Sequence, residues 1–114
     1  MIGTALSEAK LISVIDDDAS VARSTGSLVR SLGFDALTFS SAEDFLRSGR
    51  RQHTACIICD VQMPGMSGID LYETLTAQGS QIPFIFITAF SENRVRQRAG
   101  NTACILHKPF EAAE

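Results

Sequence analysis

Four short apolar runs in this chain each end on a residue able to handle a phosphoryl group. Leu11-Ile12-Ser13-Val14-Ile15 runs into Asp16-Asp17-Asp18, and Ala55-Cys56-Ile57-Ile58-Cys59 ends at Asp60. Phe84-Ile85-Phe86-Ile87 ends at Thr88, and Cys104-Ile105-Leu106-His107 ends at Lys108-Pro109. Adjacent carboxylates at 16 to 18 repel one another unless a cation or a helix cap relieves them. Magnesium takes one or two carboxylates together with waters and phosphate oxygens, and Asp60 on a neighbouring strand would complete such a site. A carboxylate beside that ion can also attack phosphorus as a nucleophile, giving an aspartyl phosphate. The Lys108 ammonium could pair with one phosphoryl oxygen and the Thr88 hydroxyl donate to another. Any one acidic residue after a strand is ordinarily a cap or a solvated charge. Four such strand ends together are not explained that way.

The elements needed to gather these groups are legible in outline. Short apolar runs bounded by turn residues read as buried parallel strands. The working site of an open parallel sheet lies just beyond the carboxyl ends of its strands. Val21, Leu28, Val29 and Leu32 are spaced as on one helix face, with Asp18 to cap the start and Gly33 the end. Phe34 to Phe39 alternates as a strand, and Ser40-Ser41-Ala42-Glu43 matches a capping box opening a short helix with Phe45 and Leu46. A polar loop from Gly49 to His53 precedes the strand ending at Asp60, and Met63-Pro64-Gly65-Met66-Ser67-Gly68 is turn chemistry. A third helix carries Ile69, Tyr72 and Leu75 and stops near Gly79, and Pro83 introduces the next strand. Ser91 to Ala99 makes a weak, short fourth helix, with Arg94, Arg96 and Arg98 on a solvated or partner-docking face. A fifth helix should begin where the chain stops at Glu114. The alternation predicts an α/β fold, a doubly wound five-stranded parallel sheet.

A chain of 114 residues makes one domain: residues 1–10 read as a leader and 11–114 as the folded unit. A net charge of −3 gives no electrostatic reason for this segment to bind nucleic acid. No apolar run approaches the ~20 residues needed to span a bilayer, and the first ten residues do not form a secretory signal. The 3 cysteines lie inside apolar runs, which suits a reducing compartment, and a cytoplasmic location is expected. Cys56-x-x-Cys59 and Cys104-x-x-His107 imitate zinc-ligand spacing, but strand residues three apart point to opposite faces and cannot easily grip one metal. His53 reads as a solvated loop residue.

Asp16-Asp17, Asp60 within Cys59-Asp60-Val61-Gln62-Met63-Pro64-Gly65-Met66-Ser67-Gly68, Thr88-Ala89 and Lys108-Pro109-Phe110 resemble the receiver domain of two-component response regulators. The resemblance covers about residues 11 to 111 and implies a flavodoxin-like sheet of strand order 2-1-3-4-5. It implies that Asp60 accepts a phosphoryl group from a sensor histidine kinase or phosphotransfer protein, as a switch in phosphorelay signalling. It also implies that Asp17, Asp60 and the backbone carbonyl of Gln62 bind Mg²⁺ directly, with Asp16 acting through water. Thr88 and Lys108 would engage the phosphoryl group, and the Lys108-Pro109 bond would be cis. Gly33-Phe34 and Ser40 to Leu46 look closest to receivers joined to a DNA-binding output domain. Such a protein is no enzyme beyond its own phosphorylation and dephosphorylation.

Three positions depart from the family pattern. Ile105 stands where the family usually carries the aromatic switch, Thr88 to Lys108 is short by about two residues, and the fifth helix is missing. Ile105 is branched at Cβ and cannot swing a ring, so any signal would travel through the loop and helix after Thr88. The missing helix would leave a sheet face to be covered by a homodimer or by the leader. Two alternatives stand beside this reading. A degenerate receiver would bind partners without phosphorylation. A haloacid-dehalogenase-type phosphatase would use Asp16 as nucleophile with Asp18 as its partner carboxylate.

Overall fold

The structure is a computed structural model that describes residues 10–88 and 104–107. Its elements are β1 (Leu11–Ile15), α1 (Ala19–Ser31), β2 (Asp35–Phe39), α2 (Ala42–Ser48), a 3₁₀ turn (Arg51–His53), β3 (Thr54–Asp60), α3 (Gly68–Ala77), β4 (Phe84–Thr88) and β5 (Cys104–His107). All neighbouring strands are parallel, in the order β2-β1-β3-β4-β5. Doubly wound winding puts β2 and β3 on opposite sides of β1, so the chain changes direction between β1 and β3. A crevice at their carboxyl ends is the usual consequence. The expected fold class and strand order are therefore both observed. The expectations made for the leader, the fourth helix, the fifth helix and the Lys108-Pro109 bond fall outside the described residues.

Alternate strand residues feed two cores, as the period of 2 requires. One lies beneath α2 and α3 and contains Ile15, Phe45, Ile57, Cys59, Leu71, Leu75 and Phe86. The other lies beneath α1 and contains Ile12, Val14, Val29, Ala36, Ile58 and Ile87. Cys56 packs against the α1 core and Cys59 lies within the other, so their zinc-like spacing cannot place both sulfurs on one ion. On the α3 side Tyr72 meets Phe84 and Phe86 edge-on, with ring centroids 5.2 and 5.6 Å apart.

Two local expectations are corrected. The buried stripe of α1 is Ala22, Thr25, Gly26 and Val29, whereas Leu28 and Leu32 are 56% and 66% exposed. Each residue turns a helix by about 100°, and the stripe centred on Ala22 and Val29 leaves Leu28 and Leu32 to one side. Small side chains at three of the four inner positions let α1 sit close to the sheet. At α2 the N-cap is Ser41, which accepts the Asp44 N–H at 3.0 Å. The cap thus starts one residue later than Ser40-x-x-Glu43 suggests. Asp44 is held below the usual carboxylate range, first by the Ser40 hydroxyl and then by Arg47.

Candidate functional site

The acidic cluster is built where β1 and β3 end side by side. Ile15 pairs with Phe39 on one side and Cys59 on the other, so the next residues, Asp16 and Asp60, lie side by side at the carboxyl edge of the sheet. The Asp16 N–H donates to the Phe39 carbonyl at 3.0 Å and carries the β1–β2 pairing one residue further. One Asp16 oxygen, Oδ1, accepts the Asp18 N–H at 2.9 Å. Asp18 turns the other way: its Oδ1 accepts the N–H groups of Ser20 and Val21 at 2.9 and 3.2 Å and caps α1. The run of three aspartates therefore divides its work. Asp16 and Asp17 join Asp60, with ligand oxygens all within 4.8 Å of one another, and Asp18 serves the helix.

Asp16 and Asp60 are 1% and 6% exposed, while Asp17 faces solvent. Carboxylates this close in a partly desolvated setting repel unless a cation sits among them. Their negative field is felt by Cys59, whose thiol pKa is pushed up chiefly by burial and further by Asp60 and Asp16. The donor set is hard oxygen, which fits Mg²⁺ or Ca²⁺ and not a thiolate-seeking metal.

The backbone around Asp60 is closely fixed. The Val61 N–H donates to the Ile87 carbonyl and the Gly68 N–H to the Val61 carbonyl, both at 2.9 Å. The Gln62 N–H reaches Asp60 Oδ1 at 3.3 Å, which folds the loop over the carboxylate and places Gln62 directly beyond it. Ser67 caps α3 in a reciprocal box with Asp70, fixing where the loop ends. Thr88, 1% exposed, closes β4 one residue past Ile87, the partner of Asp60 across the sheet. The structure thus brings Asp16, Asp17, Asp60, Gln62 and Thr88 to one sheet edge. Lys108 lies outside the described residues; the residue before it, His107, pairs with Thr88.

Sequence reasoning passed over two residues here. Gly68 was legible only as turn chemistry, yet α3 begins against the Asp60 backbone. Glu43 reads from the sequence as part of a cap, but its Oε2 accepts the Met66 N–H at 3.0 Å. Neither contact has a local sequence signature: Glu43 meets Met66 across 23 residues, and Gly68 meets Asp60 only through the path of the loop between them.

Comparison with known proteins agrees with this geometry. The profile of the response regulator receiver domain matches residues 12–114, and the chain belongs to that family. Nodulation protein W of Bradyrhizobium diazoefficiens is 36% identical over 113 residues, covering 97% of this chain and 50% of that protein. Response regulator protein TodT of Pseudomonas putida is 39% identical over 108 residues, covering 93% of this chain and 48% of TodT. The solved response regulator StyR is 42% identical, with a TM-score of 0.76 over 90% of this chain and 53% of that one. The chemotaxis protein CheY4 of Vibrio cholerae shares the fold, with a TM-score of 0.79 at 22% identity, over 90% of this chain and 88% of that one. The chain spans about half the length of the curated relatives it matches. It is a receiver domain of two-component signal transduction. The phosphatase alternative fails with the family match and with Asp18, whose carboxylate is spent on the α1 cap.

Proposed function

We propose that Asp60 is the phosphoacceptor of this receiver and that a sensor histidine kinase or phosphotransfer protein is the donor. The observation that carries the reading is the buried Asp60 carboxylate, gathered with Asp16 and Asp17 within 4.8 Å at the sheet edge. Asp17, Asp60 and the Gln62 carbonyl would hold Mg²⁺, with Asp16 acting through water. When bound, the ion would neutralise charge on the transferring group and on the carboxylates around it. In the transfer an Asp60 oxygen forms the bond to phosphorus while the bond from phosphorus to the donor imidazole nitrogen breaks, its electron pair staying on the ring. The Gln62 N–H steadies the Asp60 carboxylate at its Oδ1. Thr88 and Lys108 would donate to the phosphoryl oxygens.

In the wider reading, residues 11–114 form the receiver and residues 1–10 a leader. TdiR of Thauera aromatica and FixJ of Bradyrhizobium diazoefficiens are transcriptional regulatory proteins about twice as long as the stretch matched. A DNA-binding output domain joined to this receiver accords with them, and the net charge of −3 leaves nucleic-acid binding to that other part. Among the described residues no helix is long and apolar enough to cross a membrane. We place the switch in the cytoplasm, as a regulator that catalyses only its own phosphorylation and dephosphorylation.

A second reading, a receiver that binds partners without phosphorylation, draws on Ile105, which packs half-buried against the α3-side core in place of a switching ring. Phosphoramidate with Mg²⁺ separates the two. A mass gain of one phosphoryl group in the wild type and none in Asp60→Asn supports phosphoacceptance. An unmodified wild type supports the second reading.

A further inference from the structure

Glu43 lies in the first turn of α2, where an acidic residue ordinarily serves the helix end. That explanation is incomplete here, because the cap is made by Ser41 with Asp44. Glu43 instead reaches across 23 residues of sequence, and its Oε2 accepts the Met66 N–H at 3.0 Å. Met66 belongs to the loop that leaves Asp60, passes Gln62 and returns to α3. The loop is shaped around this carboxylate. A Cβ built on Gly65 would lie 2.7 Å from Glu43 Oε2, and Gly65 has φ +76°, a conformation that disfavours any side chain. The Glu43 side chain is half-buried, and an N–H donating to a carboxylate is stronger than a neutral hydrogen bond.

At its start the loop is held by Val61 on β4, and at its end by Gly68 and the α3 cap. Between those anchors, among the described residues, the Gln62 N–H donates to Asp60 and the Met66 N–H to Glu43. The first tie changes whenever Asp60 changes its partners, whereas the second depends on nothing in the acidic cluster. We propose that Glu43 is a positioning residue, which holds the 61–67 loop from outside so that the Gln62 carbonyl stays presented to the acidic cluster and sets its affinity for Mg²⁺. This rests on the metal reading given under Proposed function.

The test compares three variants of the chain. Glu43→Asp keeps the charge at the start of α2 but is one methylene too short for Met66. Glu43→Gln keeps the length and the acceptor without the charge. Glu43→Ala keeps neither. For each, amide exchange at Met66 and Gln62 is measured without metal. The Mg²⁺ concentration giving half-maximal phosphorylation by phosphoramidate is then measured, together with the rate at saturating Mg²⁺. Glu43→Asp and Glu43→Ala should speed Met66 exchange and raise the Mg²⁺ requirement about tenfold, the scale of losing a residue that orients a metal ligand. The saturated rate should stay near wild type, and Glu43→Gln should restore most of the Mg²⁺ affinity. If Glu43→Asp matches wild type while Glu43→Gln fails, the residue acts only through charge at the helix end and the proposal is overturned. An unchanged Mg²⁺ requirement in all three overturns it equally. A wild type indifferent to Mg²⁺ overturns the metal reading itself. The contact with the loop then stands if Met66 exchange speeds up in Glu43→Asp and Glu43→Ala but not in Glu43→Gln, and falls if it does not.

Discussion

Gly68 and Asp60 are packed so closely that no side chain fits between them. A Cβ on Gly68 would lie 2.3 Å from the Asp60 carbonyl oxygen and 3.1 Å from both the Asp60 carbonyl carbon and Cys59 Sγ. The first turn of α3 therefore rests on the backbone of the proposed phosphoacceptor, and any residue larger than glycine must push one of them aside.

Gly68→Ala should thus both destabilise the domain and disturb Asp60. The obstacle is backbone, which cannot rotate away, so a cost of about 1–3 kcal/mol is expected, as for overpacking. Urea unfolding should show a lower midpoint, and phosphorylation by phosphoramidate should slow. A variant with wild-type stability and rate would mean that α3 can move off Asp60 freely.

The aspartate run should separate by substitution. Asp18→Ala removes the α1 cap and should cost about 1 kcal/mol, with Mg²⁺ affinity retained. Asp17→Asn should do the opposite, because it removes one ligand and also relieves repulsion among neighbouring carboxylates. Calorimetric Mg²⁺ titration and thermal unfolding of both variants check the division. Equal loss of affinity in the two would contradict it.

The strand ends that carry the chemistry were readable because a buried parallel strand is a continuous apolar run, so the first polar residue after it marks the sheet edge. Asp16, Asp60 and Thr88 needed nothing more. The face of α1 was misread because Leu28 and Leu32 dominate any apolar count, while the true stripe uses Ala22, Thr25 and Gly26, whose smallness matters more than their hydropathy. Ser40 and Ser41 offer two cap registers that local sequence does not distinguish, and the wrong one hides Glu43. Its contact with Met66 arises only when distant segments meet, and that of Gly68 with Asp60 only when the loop between them closes.

Thr25 offers a stability gain. It is 5% exposed and its hydroxyl has no hydrogen-bond partner among the described residues. Thr25→Val keeps the shape and removes the unsatisfied group, so the variant should be more stable by about 1 kcal/mol. Chemical denaturation would show a raised midpoint with an unchanged slope. A lowered midpoint would reveal a partner for the hydroxyl.

The thiols should react in the order Cys104, Cys56, Cys59, following exposed, half-buried and buried positions. Burial raises the pKa of Cys56 and Cys59 from the ordinary 9.0, and neighbouring charge adds to both shifts. A raised folded pKa leaves stability intact below the unfolded value. Stability should therefore fall as pH rises above about 9, where unfolded thiols ionise and folded ones resist. Maleimide labelling followed by peptide mapping, and urea midpoints across alkaline pH, test both points.

The central claim is that Asp60 carries the phosphoryl group. Borohydride reduction after treatment with phosphoramidate and Mg²⁺ converts an aspartyl phosphate to homoserine, and peptide mass spectrometry then locates the converted residue. Conversion at Asp60 alone, lost when Mg²⁺ is chelated, is the predicted result. Conversion at Asp16, Asp17 or Asp18, or full conversion without Mg²⁺, would contradict it.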